Sequence, residues 1–143
     1  MKIKIVRRFS PRILKAVNRL LPQLDQNAEL MTEDKFRSVL MSGSTHFFIA
    51  EMEDKEIAGM LSAVVYEIPT GTKFWIEDVV VDEAYRGKGI GRDLMINAID
   101  FAKSKGAKSV DLTSRPDRVA ANKLYRELGF LLRETNVYRY KPG

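Results

Sequence analysis

The chain of 143 residues has no cysteine, one histidine and one tryptophan. Without thiols there are no disulfides, no thiolate metal sites and no cysteine nucleophiles. The lone histidine, His46, has no partners for a metal centre or a catalytic triad, and at the start of a strand-like segment it is expected to be structural. No apolar run reaches membrane-spanning length. The opening segment MKIKIVRRF is too charged, and lacks the apolar stretch, to read as a secretory signal. Repeats, low-complexity tracts and linkers are absent too. The 24 basic and 19 acidic residues give a net charge of +5, but the basic ones are spread along the chain without a long Lys/Arg block, so a nucleic-acid tail is not expected. The default expectation is a single domain over residues 1–143 in a cytoplasmic setting, with no nucleic-acid, membrane or metal partner expected. Its 45% hydrophobic content is enough to fill a core. The basic balance suits nucleic acid, an anionic membrane surface or an anionic small ligand, and solubility alone also accounts for it.

Periodicity supplies the elements. Lys2 to Val6 alternates like a strand. Ser10-Pro11 is a helix opening, and Ile13, Leu14, Val17, Leu20 and Leu21 follow at helical spacing until Pro22 is expected to end the helix. A second helix opens at Thr32-Glu33-Asp34, with Phe36, Val39 and Leu40 inward, and Gly43 breaks it. His46–Met52, Ile57–Ile68 and Phe74–Val81 read as hairpin-linked strands. Leu94, Met95, Ala98, Ile99 and Ala102 then form a helical stripe closed by Gly106. Lys108–Thr113 is a strand, Asp117 caps a last helix carrying Ala121, Leu124, Tyr125 and Leu128, and the β-rich stretch Phe130–Tyr140 is expected to close the sheet. The fold class is α/β (α+β): a mixed, mostly antiparallel sheet of six or seven strands flanked by four helices.

The segment VVVDEAYRGKGIG, Val79 to Gly91, is the most informative part. A β-branched run stops at an acidic turn, an Arg and three glycines follow, and a helical pattern begins. Glycines let the backbone approach a ligand closely. The first turn of a helix offers unpaired N–H groups and partial positive charge. That order makes an anion cradle suited to a pyrophosphate, with Arg86, Lys88 and Arg92 adding charge. The plain alternative is a Gly-rich turn joining a strand to a helix.

Three elements together resemble the GNAT superfamily of acyl-CoA-dependent N-acetyltransferases. Arg86-Gly87-Lys88-Gly89-Ile90-Gly91 resembles its pyrophosphate loop, Ile76-Glu77-Asp78-Val79-Val80-Val81 the strand before it, and Asn122-Lys123-Leu124-Tyr125-Arg126-Glu127-Leu128-Gly129-Phe130 its second signature. The strand and loop read most like those of glucosamine-6-phosphate N-acetyltransferases. Thr113, however, stands where those enzymes carry an Asp near the sugar amine, so the substrate is not carried over.

The resemblance implies acetyl-CoA as acyl-donor cosubstrate, held through its pyrophosphate by the amides of Arg86, Gly87, Lys88, Gly89, Ile90, Gly91 and Arg92. It implies main-chain contacts of Val79 and Val81 with the pantetheine arm, and a contact of the Asn122 amide with the same arm. It makes Tyr125, a phenol that is protonated at neutral pH, the acid or thiolate stabiliser, although its spacing alone reads as core. Glu77 is the first choice for the base and Asp78 the second; as strand neighbours they face opposite sides, and relay through water is an alternative to either. Free N–H groups along Val79–Val81 suit an oxyanion.

An unidentified amine acceptor is expected near Leu24, Asp25, Glu29 and Phe36. Trp75 and Phe74 read as packing residues, and Arg115 and Arg118 as exposed charges. The family also implies a homodimer through C-terminal strands. The leading activity is N-acetylation of a primary amine of a small molecule or peptide, by direct attack in a ternary complex. The alternatives are acetylation of protein N-termini or lysines, a non-catalytic acetyl-CoA-binding regulatory module and, on charge alone, a nucleic-acid binder.

Overall fold

A computed structural model describes all residues, 1–143. The chain divides into two units, Met1–Leu112 and Thr113–Gly143. The first contains β1 (Lys2–Val6), α1 (Pro11–Leu24), α2 (Glu33–Met41), β2 (Thr45–Glu51), β3 (Ile57–Ile68), β4 (Gly71–Val81), a 3₁₀ turn (Glu83–Tyr85), α3 (Ile90–Ser104) and β5 (Ser109–Asp111). Its five strands form one sheet in sequence order. Pairing is antiparallel from β1 to β4 and parallel between β4 and β5, as a hairpin series followed by a helical crossover requires.

Alternation along β3 sends neighbouring residues to opposite faces. Met60 joins a core cluster with Ile13, Ala16, Val17 and Leu20 of α1 and Phe36 of α2. Gly59 faces α3 instead: a Cβ there would lie 3.1 Å from the Leu94 side chain and 3.0 Å from the Val80 carbonyl. The glycine that interrupts this strand is thus where helix and sheet come closest. Of the predicted stripe, Leu94, Met95, Ala98 and Ala102 are buried and Ile99 is half-buried. Phe36 is fully enclosed, edge-on to Phe9 and Phe47 at 6.2 and 5.6 Å. It is a core residue, so it cannot line an acceptor pocket. His46 is a half-buried member of an aromatic group, 4.6 Å from the Phe101 ring. Burial, then Arg7 and Lys105, hold its pKa down.

Several sequence expectations need correction. Pro22 does not end α1: the helix runs to Leu24, closed by Asp25 N–H donating to the Leu21 carbonyl at 2.9 Å. A proline in the last turn forfeits one hydrogen bond and leaves the bonds that close the helix intact. Ser10 stands at the N-cap of α1 without a side-chain capping bond, whereas the Thr32 hydroxyl does accept from Lys35 N–H in α2. In the second unit α4 (Val119–Glu127) starts after Arg118, not Asp117.

The sheet has five strands, not six or seven, because Phe130–Tyr140 forms no strand. The large apolar side chains there, Leu131, Leu132, Val137, Tyr138 and Tyr140, are between 72% and 99% exposed. β-propensity describes fitness for a half-buried pleated surface, and this segment pairs with no strand.

One buried carboxylate ties β1, α1 and β2 together. Glu51 of β2 is 3% exposed and takes Lys4 of β1 at 2.7 Å, Arg12 of α1 at 2.8 Å and Lys55 at 3.6 Å. Hydrogen bonds from Lys4 and Arg12 hold its pKa at about 2, against the opposing effect of burial. Its cover consists of cationic side chains that are themselves 43% to 68% exposed, so solvent screens the attraction. A depressed carboxylate pKa contributes stability that is present above the unfolded value and lost as pH falls through the folded one. Glu51→Gln is expected to cost about 1–2 kcal/mol at pH 7. Urea midpoints measured down to acid pH should show that difference shrinking between the ordinary glutamate pKa of 4.5 and about 2.

Candidate functional site

β4 positions the site. Its ladder with β5 covers only Lys73–Trp75 against Ser109–Asp111. From Ile76 onward the β5-side edge of β4 therefore has no strand beside it. On the other edge Ser62 pairs with Glu77 and Met60 with Val80. Leu61 thus faces two residues, Asp78 and Val79, and the ladder bulges there. Asp78 adopts φ +52°, one of two positive-φ positions outside glycine. Val79 falls outside the register. Val81 remains paired with Gly59, and its carbonyl accepts from Arg86 Nε at 3.1 Å.

The chain leaves β4 through a strapped turn. Asp82 is buried and accepts from Arg19 Nε at 3.1 Å, Ala84 N–H at 3.1 Å and Gln23 Nε2 at 3.5 Å. Burial alone would raise its pKa; the bonds from Ala84, Arg19 and Gln23 outweigh it and hold the carboxyl low. Gln23 Oε1 also accepts from Glu83 N–H at 2.9 Å. Arg19 and Gln23 lie one turn apart on α1. Their separation from Asp82 by 63 and 59 residues explains why no local pattern in the sequence reveals the strap.

Beyond the turn, Gly87 and Gly89 both take φ +78°. A Cβ at either would meet nothing within 4 Å, so protein packing does not demand glycine there. The backbone conformation does, and the space it leaves lies open. Gly89 is the N-cap of α3 and has no side chain to satisfy the helix's first amides. The backbone amides from Arg86 to Gly91 donate no hydrogen bond within the protein. A row of amides unbonded within the protein at the positive end of a fifteen-residue helix is what a diphosphate requires. Lys88 Nζ lies 5.5 Å from the Tyr85 ring, and the Arg86 side chain turns back onto Val81. Arg86 thus braces the loop as well as charging it.

On the strand itself, Trp75 and Glu77 share a face, and the indole donates to the Glu77 carboxylate at 2.6 Å. The Asp78 side chain, exposed overall, makes no hydrogen bond or ion pair, and partial desolvation pushes its pKa up. Of the residues expected to bound an acceptor site, Asp25 accepts from Asn27 N–H in a local turn and Glu29 is exposed. Leu24, like Phe36, belongs to the core packing, and Phe74 is fully buried.

Within the second unit, Asn122 Nδ2 donates to the Arg115 carbonyl at 2.9 Å, which folds the approach to α4 onto the helix. Arg115 lies beside Asp117. Tyr125 is buried, with its ring edge-on to Phe130 at 6.0 Å. Burial pushes its phenol pKa up and Arg118 opposes the shift, so the hydroxyl keeps its proton throughout the neutral range.

Comparison with known proteins accords with this geometry. A profile of the Acetyltransferase (GNAT) family matches residues 13–130, spanning both units. The chain is 40% identical over 83 residues to streptothricin acetyltransferase of Streptomyces lavendulae, a match covering 58% of this chain and 43% of that protein. It thus spans under half the length of that relative. A putative acetyltransferase from Agrobacterium tumefaciens superposes with a TM-score of 0.87 over 99% of this chain and 100% of that one, at 22% identity. Glucosamine-6-phosphate N-acetyltransferase from Arabidopsis thaliana gives 0.77 over 98% and 99%, at 25% identity. From strand bulge to amide-lined loop and on through the matched profile, the chain belongs to the Acetyltransferase (GNAT) family.

Proposed function

We propose that this protein is an N-acetyltransferase that moves the acetyl group of acetyl-CoA to a primary amine of a small molecule or peptide, by direct attack in a ternary complex. The observation carrying this reading is the run of undirected amides from Arg86 to Gly91 at the capless start of α3, beside the unpaired edge of β4. Family membership supports it. Acetyl-CoA, when bound, supplies the activated thioester. The amides of Arg86 to Arg92 bind its diphosphate, and the main chain of Val79 and Val81 lines the pantetheine arm, with Asn122 as a further polar contact. A carboxylate of the Glu77–Asp78 pair accepts the proton that the acceptor ammonium must lose before its nitrogen attacks. The nitrogen–carbon bond forms, the carbon–sulfur bond breaks, the Tyr125 hydroxyl donates its proton to the departing sulfur, and the second proton that the nitrogen sheds on becoming an amide restores the phenol. The exposed apolar side chains after Phe130 support self-association of the chain as a homodimer.

Thiol release from acetyl-CoA across a panel of small amines and peptides, with products identified by mass spectrometry, tests the activity. At least one small amine or short peptide should accelerate release, and Tyr125→Phe should lower kcat by about 10²-fold while the fold persists. Faster transfer to protein N-termini or lysines would move the reading to protein acetylation. Acetyl-CoA binding with no acceleration by any acceptor would make the chain a regulatory binding module.

The loop assignment has its own check. Gly89→Asp places a carboxylate among the amides and should abolish acetyl-CoA binding by calorimetry with the circular dichroism preserved, whereas Gly89→Ala imposes the same backbone strain without the charge and should retain measurable affinity. Equal affinity in Gly89→Asp and the unaltered chain would remove the loop from the site.

Sedimentation equilibrium should report a dimer, and a Leu132→Asp/Tyr138→Asp double variant should report a monomer. A monomeric unaltered chain would end the homodimer proposal.

A further inference from the structure

Within the acetyl-transfer reading above, on which this rests, we infer that Asp78 is the group that takes the proton from the acceptor amine, while Glu77 positions Trp75. The other carboxylates of the first unit with clearly perturbed surroundings are fully engaged. Glu51 is gripped by Lys4, Arg12 and Lys55, and Asp82 by Arg19, Gln23 and the Ala84 amide. Both are thereby fixed as anions with structural work. Asp78 has the opposite character, since no side chain or amide engages its carboxylate.

Its backbone gives a second, independent reason. The other non-glycine residue at positive φ is Lys55, which sits in the tight turn between β2 and β3, where Lys55 N–H donates to the Met52 carbonyl. Asp78 is in the middle of a strand. Aspartate tolerates this conformation mainly by hydrogen-bonding its own backbone, and here it does not. Glycine would satisfy the backbone at less strain. An unengaged carboxylate therefore occupies a strained position that backbone geometry alone would give to glycine, which points to a use for the carboxylate itself.

The bulge explains the division of labour. Glu77 keeps its register with Ser62 and so stays on the face it shares with Trp75, where one of its oxygens holds the indole at 2.6 Å. Asp78 falls outside the alternation, next to Val79 and on the stretch of β4 that has parted from β5. Asp78 is exposed overall, and partial desolvation raises its carboxyl from the ordinary aspartate value. The stretch of β3 opposite, Gly59 to Ala63, carries no ionisable group, and no charged side chain of α1 or α3 contributes to the shift. Glu77, its neighbour on β4, is the adjacent titratable group.

The test is the pH dependence of kcat/KM for the unaltered chain, Asp78→Asn, Asp78→Gly and Glu77→Gln, using the best acceptor from the amine panel. Asparagine keeps the shape and the tolerance of positive φ, and glycine relieves the strain, so at least one of the two must fold. Both Asp78 variants should lose on the order of 10²-fold in kcat/KM and the acidic limb of the profile, with acetyl-CoA affinity unchanged by calorimetry. Glu77→Gln should keep that limb whatever its rate. An intact acidic limb in Asp78→Asn or Asp78→Gly, or its disappearance in Glu77→Gln, overturns the assignment while acetyl transfer stands. Failure of the unaltered chain to transfer to any acceptor removes the functional reading and this assignment with it.

Discussion

The guanidinium of Arg19 is the joint on which the site is hung. It reaches from α1 to the Asp82 carboxylate at the end of β4, and its other arm donates to the Ile57 carbonyl at the start of β3 at 2.6 Å. Asp82 N–H bonds the Ala58 carbonyl, closing the same corner from the backbone. A buried aspartate costs free energy unless it is met by charge and donors, and here it is met by a cation, an amide side chain and a backbone N–H. The direction in which the chain leaves the sheet is therefore set by a network that tolerates little displacement. The glycines that follow are conformationally permissive, so without that fixed launch point their amides would have no reason to converge.

Two kinds of incompleteness coexist in β4. Its edge toward β5 is left open beyond Trp75, and its edge toward β3 is interrupted at Asp78 and Val79. A strand that was only structural would close both, because each unpaired backbone group must otherwise be solvated. The strain at Asp78 and the bare start of α3 belong to the same pattern: local stability is forgone along one continuous stretch, from the bulge to the helix. The remainder of the first unit supplies rigid support through the enclosed Phe36, Phe74 and Leu94 and the Glu51 cluster.

Much of this was legible beforehand because it is local. The α3 stripe, the Gly106 stop, the Thr32 cap and the Gly87–Gly91 loop each depend on a few consecutive residues, and the structure places them where periodicity and turn chemistry said. Pro22 misled because a proline's effect depends on how many turns follow it. Phe130–Tyr140 misled because strand character is completed by a neighbour. The different surroundings of Asp78 and Glu77 are not legible in sequence, since strict alternation fails where a bulge intervenes.

By itself, then, the sequence determined the kind of chemistry on offer: no thiol, no histidine cluster, a glycine-rich helix entrance and the signatures of the Acetyltransferase (GNAT) family. Those are properties of composition and of neighbours in the chain. Tertiary structure alone decided that Arg19 would secure the loop, that β4 would part from β5 after Trp75, and that Glu77 would be engaged while Asp78 is not. Each of these rests on contacts or register shifts between segments far apart in sequence, and a one-residue slip in a strand reverses the face of every side chain beyond it.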